Sequence, residues 1–228
     1  MTGPAEPLTT EVVSARLETV RGRIRRAGGG EGITIVAVTK GFGVDAVRAA
    51  LGAGLVDLGE NYAQELLAKA RDVGDTKPGP QWHFIGRLQR NKVRHLAAQV
   101  SLWQTVDRAE LAIEIGRRAP GAAVLVQVNL SGEEHKGGCD PGEAAALVRW
   151  CRDEGLDVRG LMGVGPAGVP EAARPGFRRL VMLADELALP VRSIGMSADL
   201  EVAVEEGSTM LRVGTALFGA RPARPAPR

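Results

Sequence analysis

Short apolar, β-branched runs alternate with amphipathic stretches along almost the whole chain, and no other feature narrows its fold as far. Strand-like runs fall near 33–39, 55–59, 82–86, 101–106, 122–130, 157–164, 191–195 and 209–214. Helical spacing fills the gaps, near 44–53, 62–73, 87–98, 108–118, 141–154, 171–188 and 199–206, and a further helix, 9–27, stands in front. In that first helix Val12, Val13, Leu17, Val20 and Ile24 recur at three- and four-residue steps. Thr9 or Thr10 is placed to cap it, and "GGGEG" ends it. A strand reaches a parallel neighbour only through a crossover, so strictly alternating strands and helices imply parallel βαβ units. Eight units in 228 residues predict an α/β fold: one closed (β/α)8 TIM-type barrel with an extra N-terminal helix, with an open doubly wound sheet as the alternative. The barrel is expected to span residues 1–220, with the Pro/Arg/Ala-rich end making 221–228 a flexible tail.

Composition removes several classes of function. The net charge is +2, and only "RGRIRR" at 21–26 is locally basic, as a solvated helix face would be, so nothing calls for nucleic acid. No apolar run approaches the ~20 residues of a membrane span. The N-terminus lacks the basic-then-apolar order of a signal peptide. Cys139 and Cys151 form neither a disulfide framework nor a zinc pattern, so both are expected to be reduced thiols of a cytoplasmic protein, with no metal site.

In a barrel the loops that follow the strands share one face, and that face carries the site. Lys40 ends the run "ITIVAVTK", directly before the turn "GFG". The second run leaves through Glu60, Asn61 and Tyr62, and the third through Gly86 and Arg87. The fifth is followed by Asn129, Ser131 and Lys136; the seventh ends in Met196 and Ser197; the eighth holds Arg212, Gly214 and Thr215. "GMS" ahead of the helix-forming "ADLEVAVEEG" sets a glycine, a hydroxyl and free backbone amides together, and "VGTALFGA" repeats the device one strand later. Loops after strands seven and eight commonly hold phosphate in barrel enzymes. A partly buried lysine has its pKa lowered, so its neutral amine attacks carbonyls. A phosphorylated aldehyde fits both features: pyridoxal 5′-phosphate (PLP), or a sugar phosphate in a Schiff-base aldolase. Arg212 favours PLP, whose pyridine nitrogen needs a partner. His83 reads as hydrogen-bonded inside the barrel, His95 as a surface residue and His135 as too isolated for metal. Glu60 reads as a barrel-mouth residue, Met162 equally as packing or pocket lining, and Arg87, Arg90 and Lys92 as a solvated helix start.

Five ordered blocks, "VAVTK", "GENYAQE", "WHFIGRLQRNK", "GLMGVGP" and "IGMSADLEVAVEEGSTMLRVGTALFGAR", resemble the signature blocks of the PLP homeostasis protein family (YggS/PROSC, pyridoxal phosphate-binding proteins). The resemblance covers nearly the whole chain and implies the barrel domain of alanine racemase, PLP fold type III, without that enzyme's second domain. It implies that Lys40 carries PLP covalently as a Schiff base, that Ser197, Gly214 and Thr215 hold the phosphate, that Arg212 faces the pyridine nitrogen, and that Asn61 and Met196 line the ring pocket. The chain departs from the family pattern at "TKGFG", at His135 and at "GVGP", changes that bear on loop shape and pocket access and leave Lys40 itself in place.

The function implied is PLP homeostasis, by storage, buffering or delivery, with PLP-dependent apo-enzymes as candidate recipients and a monomeric state. The alternative is a fold-type III enzyme such as an amino-acid racemase. A two-base racemase needs a second acid/base opposite the lysine. In alanine racemase that base is a tyrosine of the second domain, and the one tyrosine here, Tyr62, lies in the second block. A carrier without a catalytic residue is therefore the expectation.

Overall fold

The computed structural model describes residues 8–74, 76–133 and 137–221, so the expectations for His135, Lys136 and the tail from 222 onward lie outside the described residues. Helix α1 (Thr10–Arg26) precedes β1 (Thr34–Val38). Then follow α2 (Val44–Gly52), β2 (Asp57–Glu60), α3 (Ala63–Val73), β3 (Gln81–Phe84), α4 (Val93–Leu96), β4 (Val100–Val106) and α5 (Ala109–Arg118). The second half runs β5 (Ala123–Asn129), α6 (Ala144–Asp153), β6 (Asp157–Val164), α7 (Arg174–Glu186), β7 (Val191–Met196), α8 (Leu200–Glu205), β8 (Met210–Val213) and α9 (Thr215–Phe218). Each strand pairs with the next, and β8 pairs in parallel with β1, so the sheet closes into an eight-stranded barrel.

Strands buried on both faces need continuous apolar, β-branched runs, which is what β1 and β5 supply. Their outer faces join the helices in the main core, where Trp103, Phe84 and Phe177 are fully buried. A smaller separate cluster of Val36, Leu102, Ala123, Leu125, Met162 and Met210 fills the lumen. Met162 is therefore a packing residue, 1% exposed. Helix α1 turns Val13, Leu17, Val20 and Ile24 inward, and each such side chain contributes roughly 1.5–3 kcal/mol when fully buried. Thr9 caps it by accepting from the Val12 amide at 3.4 Å.

One expected element is much shorter than its sequence suggests. The stretch 87–98 forms only a 3₁₀ turn (Arg90–Lys92) and the single turn α4. Only Val93 and Leu96 of these two turns are buried, too little apolar surface to hold a longer helix against the barrel. The expected helix at 171–188 likewise begins as a 3₁₀ turn, Pro170–Ala173, before α7.

Close approach at the exit of β3 is possible only for glycine. A Cβ on Gly86 would lie 2.1 Å from the carbonyl oxygen of Asn61. Gly86→Ala is expected to cost about 1–3 kcal/mol, the usual penalty of overpacking, and to push the Asn61 backbone outward. A urea-unfolding midpoint equal to wild type would contradict the close contact.

Candidate functional site

The named residues gather on four contiguous strands. Lys40 follows β1, Asn61 follows β2, Met196 and Ser197 end β7, and Arg212, Gly214 and Thr215 end β8. Closure of β8 onto β1 brings the first and last of these together: a Cβ on Gly214 would sit 3.4 Å from the Val38 carbonyl. Asn129 and Ser131, after β5, stand apart from this group and bond to each other instead, the Asn129 Oδ1 accepting from the Ser131 amide and hydroxyl at 3.1 Å each.

The turn after Lys40 is pinned on both sides. Gly41 takes a left-handed conformation (φ 78°), and its amide donates to Glu65 Oε2 at 2.8 Å. Phe42 packs its ring against Phe218 of α9, centroids 5.5 Å apart. "GFG" is thus a fixed turn with one ring buried, directly after Lys40. Lys40 is half-buried and makes no hydrogen bond or ion pair with a described residue. Burial is the main cause that pulls its pKa below the usual lysine value; Arg221 and Arg212 push the same way and Glu60 opposes them. The result is a larger share of neutral, nucleophilic amine at neutral pH than an exposed lysine has.

Beneath it lies a buried ion pair. Lys69, on α3, donates to Glu60 Oε1 at 2.5 Å and to the Thr39 carbonyl at 2.7 Å, and the Thr39 hydroxyl donates to the same carboxylate oxygen at 2.6 Å. Glu65 lies 3.6 Å from the same ammonium. Glu60 is fully buried, and its Oε2 has no partner. Desolvation raises its pKa, opposed by Lys69 and by the hydrogen bond from Thr39. Glu60 is therefore a structural anchor for the end of β1, and Lys69 its counter-ion. Lys69 carries no sequence signal of burial, since one lysine in "ELLAKAR" reads as the solvated side of a helix.

The two turns expected to take an anion do converge. The Ser197 hydroxyl oxygen accepts from the amides of Gly214 at 3.3 Å and Ala216 at 3.2 Å. Of the residues expected at this spot, Ser197 and Gly214 meet directly, and Thr215 lies exposed beside them. The loop is clamped from behind by α1: Arg23 donates to the Ser197 carbonyl at 3.0 Å and to both oxygens of Glu201 at 2.6 and 2.7 Å. The Met196 amide donates to Asp199 Oδ1 at 2.6 Å, while its side chain is 37% exposed.

Arg212 is 4% exposed. It donates to the Ser193 carbonyl at 2.6 Å, to Ser193 Oγ at 2.7 Å and to the Gly163 carbonyl at 2.8 Å. Burial brings its pKa down to about 10, which leaves it cationic at neutral pH. Of its five N–H donors these bonds occupy three and leave two. On the other side of the mouth Asn61 Oδ1 is buried with no partner. There the mouth widens into a cavity of about 810 Å³, lined by Tyr62, Arg87, Leu88, Lys92 and Arg108. Among the described residues no cluster of His, Cys, Asp or Glu is suited to a metal ion, and no helix is long and apolar enough to cross a membrane.

The family described as alanine racemase, N-terminal domain, matches residues 14–222. A pyridoxal phosphate homeostasis protein of Aquifex aeolicus is 42% identical over 224 residues, covering 92% of this chain and 97% of its own. One of Homo sapiens is 38% identical over 209 residues, covering 82% and 76%. Among solved structures, PipY of Synechococcus elongatus with PLP bound is similar at a TM-score of 0.82 and 31% identity, over 91% of this chain and 100% of that one. An alanine racemase of Clostridium difficile, 18% identical with a TM-score of 0.68, shares the fold over 58% of its length.

The ion pair gives a prediction with a pH signature. Lys69→Met leaves Glu60 buried without its counter-ion and is expected to cost about 3–5 kcal/mol at neutral pH. Removing Lys69 also removes the main opposition to desolvation, so the Glu60 pKa rises further. A carboxyl whose folded pKa lies above its unfolded value destabilises when ionised and stops doing so once protonated. The deficit should therefore shrink as pH falls, measured by urea unfolding at several pH values; a deficit that grew toward acid would reverse the assignment.

Proposed function

We infer what this chain does from where it belongs: it belongs to the pyridoxal phosphate homeostasis protein family, on the alanine racemase N-terminal domain fold. It is a PLP-binding protein of PLP homeostasis. The observation that carries this reading is the solved relative with PLP bound, similar over 91% of this chain. The site's own chemistry fits such a ligand. It offers an unpartnered lysine of depressed pKa, two amides converging on one hydroxyl, a buried arginine with two N–H donors left, and an unpartnered Asn61 Oδ1.

Residue roles follow from those atoms. Bound PLP supplies an aldehyde carbon, a phosphate and a conjugated ring. Lys40 Nζ would be the amine that holds the aldehyde carbon. The Gly214 and Ala216 amides, the Ser197 hydroxyl and the nearby Thr215 would hold the phosphate, Arg212 would serve the ring nitrogen as a donor, and Asn61 and Met196 would line the ring pocket. The names of the relatives speak for a non-catalytic role, and the site supports it. Glu60 is engaged by Lys69 and Thr39, and Tyr62 is 60% exposed, so neither stands as a second acid/base opposite Lys40. The reading takes the protein as a monomeric cytoplasmic carrier with PLP-dependent apo-enzymes as recipients; its two cysteines are buried free thiols, whose pKa burial pushes up to about 12.

Two sets of variants test the assignment. Lys40→Ala should abolish the absorbance of the loaded protein near ~420 nm and the covalent adduct left by borohydride; an adduct mapped to Lys69 or Lys92 would move the attachment point. Ser197→Ala removes a hydrogen bond to a charged group, worth roughly 1.5–3 kcal/mol, or about 10- to 150-fold in PLP affinity. Pyridoxal, which lacks the phosphate, should bind Ser197→Ala nearly as it binds wild type, and equal losses for both ligands would contradict the placement.

The carrier reading is tested by incubating the loaded protein with L- and D-amino acids in deuterated water, followed by chiral analysis. General acid/base groups typically contribute 10²–10⁴-fold, so only trace exchange at Cα is expected. Racemisation at about 1 per second or faster would identify an enzyme instead.

A further inference from the structure

We propose that Asp57, His83 and Gln104 are positioning residues for Arg212: a one-way chain of hydrogen bonds through the barrel lumen holds its guanidinium as a fixed donor toward the ring nitrogen of the ligand. The inference rests on the reading that PLP occupies the site around Lys40.

The chain is continuous from the carboxyl face toward the amino face. Arg212 Nη1 donates to Ser193 Oγ at 2.7 Å, and the Ser193 hydroxyl donates to Gln104 Oε1 at 2.7 Å. Gln104 Nε2 lies 2.8 Å from His83 Nδ1, and His83 Nε2 lies 3.1 Å from Asp57 Oδ1. Gln104 sits on β4 and Ser193 on β7, which are not neighbours, so their contact crosses the lumen. Arg212, Ser193, Gln104 and His83 are each 4% exposed or less. Asp57, the first residue of β2, reaches solvent through a cavity of about 620 Å³ beneath the barrel.

Both ends of the chain have fixed polarity. A guanidinium has donors and no acceptor, and an ionised carboxylate has acceptors and no donor. Ser193 must therefore accept from Arg212 and give its own hydrogen to Gln104 Oε1. Gln104 must then present its amide nitrogen to His83. The 3.2 Å contact of that nitrogen with the Met210 sulfur agrees, since the sulfur is an acceptor and would repel an amide oxygen. His83 Nδ1 accepts, so its hydrogen lies on Nε2, donated to Asp57. No link can reverse while the ends keep their charge.

Filling the lumen does not require this chain. Val36, Leu125, Met162 and Met210 already fill much of it, and apolar side chains would fill the rest without matched polar atoms. What the chain adds is orientation. Arg212 cannot turn away without breaking its bonds to Ser193 and Gly163, and the Ser193 hydroxyl keeps a lone pair turned toward Arg212 because its own hydrogen is committed to Gln104 Oε1. A ring nitrogen facing a fixed donor stays an unprotonated acceptor. The consequence for Lys40 is electronic: an unprotonated ring withdraws less charge from the imine nitrogen, which then keeps its proton to higher pH.

The test uses the PLP-loaded protein and reads its Schiff-base absorbance against pH, with PLP affinity measured in parallel. Wild type is compared with Gln104→Leu, His83→Phe, Asp57→Asn and, as a control for disturbance of the lumen, Leu125→Met. Arg221, Arg212 and Glu60, the charged groups that act on Lys40, are unchanged in all of them. Gln104→Leu and His83→Phe are expected to lower the pH midpoint of the absorbance change by about one unit, a tenfold shift in the protonation equilibrium. Asp57→Asn keeps the acceptor oxygen and removes the charge, so its shift should be smaller and of the same sign; Leu125→Met should show none. A purely structural role for the chain would change unfolding midpoints and leave the absorbance midpoint where it is.

A second arm covers failure of the buried variants to fold. Nitrogen-15 spectra of the His83 ring in wild-type protein without PLP should show hydrogen on Nε2 and a bare Nδ1, and the opposite tautomer overturns the chain's direction. Uptake of PLP with unshifted midpoints in all folded chain variants overturns the positioning role and leaves the PLP reading standing. Wild type that takes up no PLP at Lys40 overturns both.

Discussion

Pairing of β1 with β8 sets Thr34 beside Met210, Val36 beside Arg212 and Ala37 beside Val213, and the rest of the site hangs on that seam. It joins residues far apart in the chain, so its loop-closure entropy is met only by the apolar surface that a closed barrel buries all at once. Once closed, the sheet has no free edge, and every strand delivers its last residue to one face. Val38, two residues before Lys40, lies against Gly214 for this reason alone.

Polar groups inside that shell are held at several depths. At the rim, Lys69 neutralises Glu60 and ties the backbone at Thr39, so that Lys40 projects from an anchored strand end. Because Glu60 is matched by its own counter-ion, the field at Lys40 is weighted toward Arg221 and Arg212, which favours the neutral amine. Deeper down, Arg212 is a buried cation with only neutral acceptors in direct contact: the Ser193 and Gly163 carbonyls and a hydroxyl. A buried charge is costly when unpaired, and here hydrogen bonds and a chain leading to Asp57 offset that cost in place of an adjacent carboxylate.

Much of this was legible in the residue order, and the reasons for the remainder are physical. β-branched runs and their turns located all eight strands to within two residues or so, because a strand buried on both faces leaves little freedom of composition. Lys40, Ser197, Gly214 and Arg212 stood out because strand-end loops are where polarity in a barrel has functional meaning. The helix after β3 was over-extended, since pattern alone cannot tell that Val93 and Leu96 are its only buried contacts. Lys69 was hidden because burial of one lysine on a helix depends on a carboxylate nine residues away, which no periodicity announces. Gln104 and Ser193 were hidden for a related reason: one polar residue in "SLWQTV" or "VRSIGM" reads as the solvated side of a strand, and only a closed sheet turns that side into a lumen.

Helix α1 does more than pack against α2, α8 and α9. Arg23 holds the loop at Ser197, and Arg16 donates to the Leu217 carbonyl at 3.2 Å, so α1 grips segments that lie 174 and 201 residues further along the chain. During synthesis, α1 and the first six strands emerge while the loop they are meant to grip does not yet exist. A nascent chain stopped before residue 214 therefore holds Lys40 and Ser197 but neither of the amides that meet the Ser197 hydroxyl in the folded protein. The meeting of Ser197 with the Gly214 and Ala216 amides therefore forms only after most of the barrel strands have been made, and losing the grip of α1 would loosen it while most of the barrel remains.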